Sequence, residues 1–220
     1  MKIKALLAEF IATFALVFVG VGAIAGDYLN GGRTGLVGIA LAHGLTIAVM
    51  VSATAATSGG HINPAVTIGL WCARKIDALN AAGYVMAQCL GVILAAAFIK
   101  LCIPQIALSA VGMGTPALGS GVSPLMGLLT EIILTFFLVF VVYGTAVDHR
   151  APKVGGLFIG LTVTLDILIG GPITGAAMNP ARHLGPALLG GDLHDLWLYW
   201  LGPVIGGILA AVCYQKCLEK

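Results

Sequence analysis

The tripeptide Asn-Pro-Ala occurs twice, at Asn63-Pro64-Ala65 and at Asn179-Pro180-Ala181, each time heading a short apolar stretch. Proline suits the first turn of a helix, where its missing N–H would lack a partner anyway. Asparagine directly before it is a good N-cap, because its side-chain oxygen accepts from backbone N–H groups. The side-chain NH2 is then free to point elsewhere. Two such helices meeting N-terminus to N-terminus would put two amide donors and two positive dipole ends at one depth. A water molecule there must accept through its oxygen, and the positive field repels H3O+ and other cations. The non-helical backbone ahead of each short helix is tolerable in a bilayer only inside protein or beside a wet cavity. There its carbonyls would supply acceptors.

Glu9 and Glu131 are the next candidates, since a carboxylate inside an apolar span is costly and usually functional. Neither has an obvious proton-relay partner. Their matched positions predict that each accepts hydrogen bonds from the backbone of a re-entrant loop. Nothing else forms a catalytic set. The histidines His43, His61, His149, His183 and His194 show neither HExxH nor His-x-x-x-His spacing, and no GxSxG occurs. A proton-coupled transporter would have only Glu9, Glu131 and Asp166 to work with. Of the five cysteines, Cys213 and Cys217 lie four apart and could share a helix face. They are expected to be buried or membrane-facing small residues rather than metal ligands.

Positioning these groups needs a membrane scaffold. The chain has 220 residues, 59% hydrophobic and only 9% charged, with mean hydropathy +1.04. Soluble domains carry roughly 25% charged residues, so this chain could not cover a water-facing surface of its own size. A net charge of +2 without a basic run excludes nucleic acid as a partner. Six stretches, roughly 3–25, 36–57, 79–102, 124–147, 155–171 and 196–215, are long enough to span. Two apolar pieces, 63–73 and 179–189, are half that length, as expected of half-helices near the midplane. Lys2, Lys4 and Ala23-Ile24-Ala25 imitate a secretory signal, but Glu9 interrupts it and the same pattern recurs mid-chain. The segment is therefore expected to be a permanent helix.

The recurrence is extensive. The stretch from Ala8 to Phe18 matches that from Thr130 to Phe140, and Tyr84, Gly91, Ala95 and Ala96 pair with Tyr199, Gly206, Ala210 and Ala211. Matches in one order indicate duplication, with a first repeat at 1–103 and a second at 123–220 of one channel domain. Three spans per repeat make the second copy enter from the opposite side. Lys2, Lys4, Arg74, Lys75, Arg150, Lys153, Lys216 and Lys220 then fall on one side, leaving Arg33, Lys100 and Arg182 on the other. The positive-inside rule puts both termini in the cytoplasm, as expected for a multi-pass protein of a plasma or inner cell membrane.

His61-Ile62-Asn63-Pro64-Ala65-Val66-Thr67 and Met178-Asn179-Pro180-Ala181-Arg182 resemble the two signature boxes of the aquaporin, or major intrinsic protein, family. The likeness covers nearly the whole chain, including Gln88 and Tyr199-Trp200-Leu201-Gly202-Pro203. It implies an all-α fold of six transmembrane helices plus two re-entrant half-helices, a homotetramer with one pore per subunit, and no cofactor. It also implies that Glu9 and Glu131 brace the loops, with His61 bracing the first and facing the cytoplasmic vestibule. The family's narrow filter falls on His43, Ile167, Ala176 and Arg182. That combination is similar to tonoplast-type and ammonia-permeable members, whose filter is wider than in strict water channels. Arginine stays protonated, so Arg182 would repel cations. Ala187 and Tyr199-Trp200 are of the water type, whereas His183 departs from both the water and the glycerol patterns. The expected function is passive, proton-excluding flow of water, with ammonia and hydrogen peroxide as further candidate solutes. A glycerol or small-polyol facilitator is the alternative.

Overall fold

The computed structural model describes residues 2–150 and 154–219. It contains helices α1 (Ile3–Leu29), α2 (Gly35–Ser58), α3 (Pro64–Cys72), α4 (Ala78–Cys102), α5 (Gln105–Ala110), α6 (Pro124–Val142), α7 (Gly155–Thr174), α8 (Pro180–Gly190) and α9 (Leu196–Cys217). No strand occurs among the described residues. Six of these helices, α1, α2, α4, α6 continued by a π-helical turn at Tyr143–Val147, α7 and α9, are long and apolar enough to cross a membrane. The short α3 and α8 begin at the two Asn-Pro-Ala boxes, and the order α1–α4 is repeated as α6–α9.

Local chemistry sets the helix ends. Asn63 and Asn179 cap α3 and α8, each with proline in the first turn. Asp77 caps α4 by accepting from Asn80 N, and Ser123 caps α6 by accepting from Met126 N. Such caps satisfy N–H groups that a helix cannot pair internally. The first span runs past its expected end at residue 25 to Leu29. The reason lies in the turn, where Asp27 Oδ1 accepts from Thr34 N and Gly35 N and so binds α1 to α2. The fifth span likewise continues to Thr174, with Pro172 in its last turn and Gly175 closing it in the left-handed conformation. Between the expected repeats the structure adds α5 and a 3-10 turn at Gly112–Gly114, too short for any periodic signal.

The helices pack through small residues, as lipid offers no hydrophobic force between them. A Cβ on Gly91 would run into Phe10 O of α1, and one on Gly206 into Ile132 O of α6. Gly44 and Gly160 make the same close approach where α2 crosses α7. The outer faces carry apolar side chains such as Leu79, Leu101, Ile133 and Leu165. Polar and charged residues sit inside, among them Glu9, Thr13, Gln88, Glu131 and Thr135, each 0% exposed. That is the reverse of a water-soluble arrangement.

The basic residues gather at one end. Lys75 Nζ lies 2.6 Å from Glu219 Oε1, Arg150 donates to Leu218 O, and Lys2 shares a surface cavity with Lys75 and Asp77. The N-terminus, the α3–α4 loop, the α6–α7 loop and the end of α9 therefore lie together, as the charge pattern requires. Lys153 and Lys220, counted in that pattern, lie outside the described residues.

Candidate functional site

The two boxes meet at the centre of the molecule. Asn63 Oδ1 accepts from Ala65 N at 2.8 Å, and Asn179 Oδ1 accepts from Ala181 N and Arg182 N at 3.1 and 3.2 Å. The amide nitrogens cross over. Asn63 Nδ2 donates to Met178 O at 2.8 Å, and Asn179 Nδ2 donates to Ile62 O at 2.9 Å. The NH2 groups, expected to point away from their own helices, point to the opposite loops. One hydrogen of each amide locks the opposite loop, and the other is left for a passing molecule. Both asparagines are 4% exposed and line the same narrow cavity.

Each box is preceded by a residue in left-handed backbone conformation, Ile62 (φ 55°) and Met178 (φ 52°). For a β-branched residue this is a rare and strained state. The buried carboxylates hold it. Glu9 Oε2 accepts from Ile62 N at 2.6 Å and Oε1 accepts from His61 N at 2.9 Å. Glu131 repeats this on Met178 N at 2.7 Å and Ala177 N at 2.9 Å. Turning the loop carbonyls towards the cavity requires the N–H groups to point away from it, and a carboxylate behind the loop satisfies them.

Residues that the sequence reading gave no role complete the pattern. Ser58 Oγ donates to Glu9 Oε1 and Thr174 Oγ1 to Glu131 Oε1, both at 2.7 Å. Tyr84 OH donates to Ser58 O at 2.9 Å and Tyr199 OH to Thr174 O at 2.7 Å. Ser58 and Thr174 each stand five residues before a box asparagine, so aligning the halves could have found them. Gln88 Nε2 adds bonds to Glu9 Oε2 (2.7 Å) and Thr67 Oγ1 (3.1 Å) in the first half only.

The cavity lined by both asparagines has a volume of about 30 Å3, enough for about one or two waters at a time. Its wall also contains His61, His43, Ile167, Ala176 and Arg182, so the residues expected at the filter converge on one passage. Between them run Leu16, Ile47, Val51, Leu138, Ile159 and Val163, an apolar surface facing the row of polar groups. Pro64, Ala65, Pro180 and Ala181 are buried behind the asparagines and do not line the cavity; nor do Glu9 and Glu131.

Arg182 is fixed by Gly114 O, which accepts from Nη1 at 2.8 Å, while Nη2 lies 3.4 Å from His43 Nε2. His43 Nδ1 contacts Ile39 O at 2.9 Å. A carbonyl only accepts, so Nδ1 carries the proton and Nε2 turns its lone pair to the guanidinium. Ala176 (φ 45°) and the apolar Ile167 contribute no ring to the wall they share with His43 and Arg182. His61 Nδ1 is 3.1 Å from Thr67 Oγ1, whose own proton goes to Asn63 O at 3.0 Å, and its ring meets Tyr84 edge-on at 5.1 Å. Asp166, beside Ile167 in α7, is buried, and its Oδ2 has no hydrogen-bond partner. Cys213 and Cys217 share α9, yet no group of three metal-ligating side chains occurs among the described residues.

The family model of the major intrinsic proteins matches residues 1–214. The chain is a member of the aquaporin family. Among curated major intrinsic proteins it is 50% identical to "Aquaporin TIP4-4" of Zea mays, over 97% of this chain and 86% of that one. It is 48% identical to "Probable aquaporin TIP3-2" of Arabidopsis thaliana, over 97% and 83%. In three dimensions it resembles the X-ray structure of the aquaglyceroporin from Plasmodium falciparum, with TM-score 0.85 and 25% identity over 98% of this chain and 96% of that one. Aquaporin membership agrees with the six apolar spans and with the paired half-helices described above.

Proposed function

We propose that this aquaporin-family chain is a transmembrane channel for passive, proton-excluding flow of water. The crossed amide pair supports the reading most directly. Asn63 and Asn179 are held at one depth, each by the other's loop, with one N–H apiece left for the oxygen of a passing water. The N-termini of α3 and α8 direct their positive dipole ends to the same point, which repels cations and interrupts proton transfer along a file of waters. In this reading Asn63, Pro64, Ala65, Asn179, Pro180 and Ala181 form the pore boxes. His43, Ile167, Ala176 and Arg182 form the filter, and Glu9, Glu131 and His61 brace the loops.

Ammonia is proposed as a second solute, because Ile167 and Ala176 give the wall shared with His43 and Arg182 no ring. The glycerol alternative has less support, since the relatives at 48–50% identity are named aquaporins. Segments 1–103 and 123–220 are proposed as inverted repeats of one domain, assembled as a homotetramer in a plasma or inner cell membrane with both termini cytoplasmic. A native mass four times that of the 22.4 kDa chain in mild detergent would support the assembly, and a monomer mass would oppose it. Recovery in an internal vacuolar membrane on fractionation would overturn the location.

Stopped-flow light scattering on proteoliposomes tests the function. Fast osmotic shrinkage with a low activation energy and slow glycerol entry are expected. Shrinkage no faster than that of empty liposomes would overturn the assignment.

A further inference from the structure

We infer that His183 is a positioning residue that sets solute selectivity by holding Tyr199, and through it the loop carrying Ala176; this rests on the water-channel reading above. The two halves of the molecule suspend their re-entrant loops from matched tyrosines, Tyr84 on Ser58 O and Tyr199 on Thr174 O. What backs the tyrosine differs. In the first half His61 meets the Tyr84 ring edge-on at 5.1 Å and is itself fixed by donating to Thr67, four residues after Asn63, which also accepts from Gln88. In the second half the corresponding places hold His183, four residues after Asn179, and Pro203, four after Tyr199. Neither the hydroxyl nor the amide is available there.

His183 replaces that network by stacking. Its ring lies on Tyr199 with centroids 4.1 Å apart and planes 16° from parallel. The side chain is 2% exposed, and Nδ1 has no hydrogen-bond partner. The Pro116 carbonyl approaches the ring edge, and the face of the imidazole is held by the tyrosine. From Tyr199 OH the chain of contacts is short. It reaches Thr174 O at 2.7 Å, and Thr174 Oγ1 accepts from Ala176 N at 3.1 Å. Ala176 sits in left-handed backbone on the pore wall, so a shift of this loop changes the width at the proposed filter directly. The ring also borders a cavity of about 500 Å3 with Met113, Thr115 and Asp192, which shares no lining residue with the pore. On that side, open space rather than another side chain would meet a Tyr199 ring that lost its stacking partner.

The experiment compares glycerol and water permeability in the same proteoliposomes, because their ratio does not depend on how many channels are folded. His183→Ser is expected to raise the glycerol-to-water ratio about two- to tenfold, the range set by one aromatic pair. His183→Phe, which restores a flat ring, should return the ratio to that of the wild type. Tyr199→Phe, which removes only the hydroxyl on Thr174 O, should raise it as His183→Ser does, and combining it with His183→Ser should add little. An unchanged ratio in His183→Ser, or an equal rise in His183→Phe, would overturn the inference. If His183→Ser gives no folded channel, an unchanged ratio in Tyr199→Phe overturns it instead. Wild-type vesicles that shrink no faster than empty ones would refute the water-channel reading itself, a separate outcome.

Discussion

Replacing Glu9 by alanine removes the acceptor for Ile62 N and His61 N, two backbone donors at 2.6 and 2.9 Å that face away from the passage. An unsatisfied buried donor costs about 1–3 kcal/mol, so the pair costs roughly 2–6 kcal/mol. The hydroxyl of Ser58 and the amide of Gln88 also lose an acceptor, but each can rotate towards another partner. Ile62 would meanwhile keep its left-handed φ of 55° with only the Asn179 bond to its carbonyl to hold it. At about 2–4 °C per kcal/mol for a chain of this size, the melting temperature in mild detergent should fall by about 5–20 °C. Glu9→Gln keeps one accepting oxygen but turns an NH2 towards donors, and should lie between. Glu131→Ala should behave like Glu9→Ala, because Ala177 N and Met178 N lose the same two bonds. Thermal unfolding followed by circular dichroism, paired with osmotic permeability per folded channel, reads both effects. A Glu9→Ala protein that melts with the wild type and conducts normally would refute this account of the loop.

Three further outcomes follow from the same geometry. Arg182→Val removes the cation held by Gly114 O and should raise urea and glycerol entry relative to water; unchanged entry would place Arg182 outside the selective step. His43→Phe puts a wholly apolar ring in place of the imidazole beside Arg182, and should cut ammonia uptake more than water flow in vesicle assays. At the basic end, hydrogen bonding to Lys75 lowers the Glu219 carboxyl below its ordinary value, and the same bond raises the Lys75 amine. A lowered acid stabilises above its ordinary value and loses this on acidification through the folded value; a raised base loses it only as pH rises through its own. The clasp should therefore hold from about pH 5 to about pH 10. A spin label on the exposed Cys217, the other cysteines having been replaced, should stay equally immobile across that window and become mobile in Glu219→Gln at pH 7.

Much of this site could be read from the residues because it is repeated. The boxes, the two buried glutamates and the six spans each leave a pattern that appears twice, and the caps at Asn63 and Asn179 follow from local backbone chemistry alone. The crossing of the amides to Met178 O and Ile62 O was not legible, because it depends on the distance between two loops more than a hundred residues apart. Gly114, whose carbonyl fixes Arg182, lies in a segment of short turns with no periodicity and no counterpart in the other half. The stacking of His183 on Tyr199 is hidden for a related reason. It occurs where the repeat breaks down, so alignment of the halves shows only a mismatch. The clasp of Glu219, Lys75 and Tyr143 likewise joins residues from three separate segments.

The central claim is that one passage carries water through the crossed amides and refuses protons. Water and proton fluxes should be measured on a single batch of proteoliposomes, by light scattering and by an entrapped pH-sensitive dye under an imposed pH gradient. The account predicts osmotic flow far above that of empty vesicles, with a proton leak indistinguishable from theirs. A proton flux that rises in step with the number of channels would contradict it.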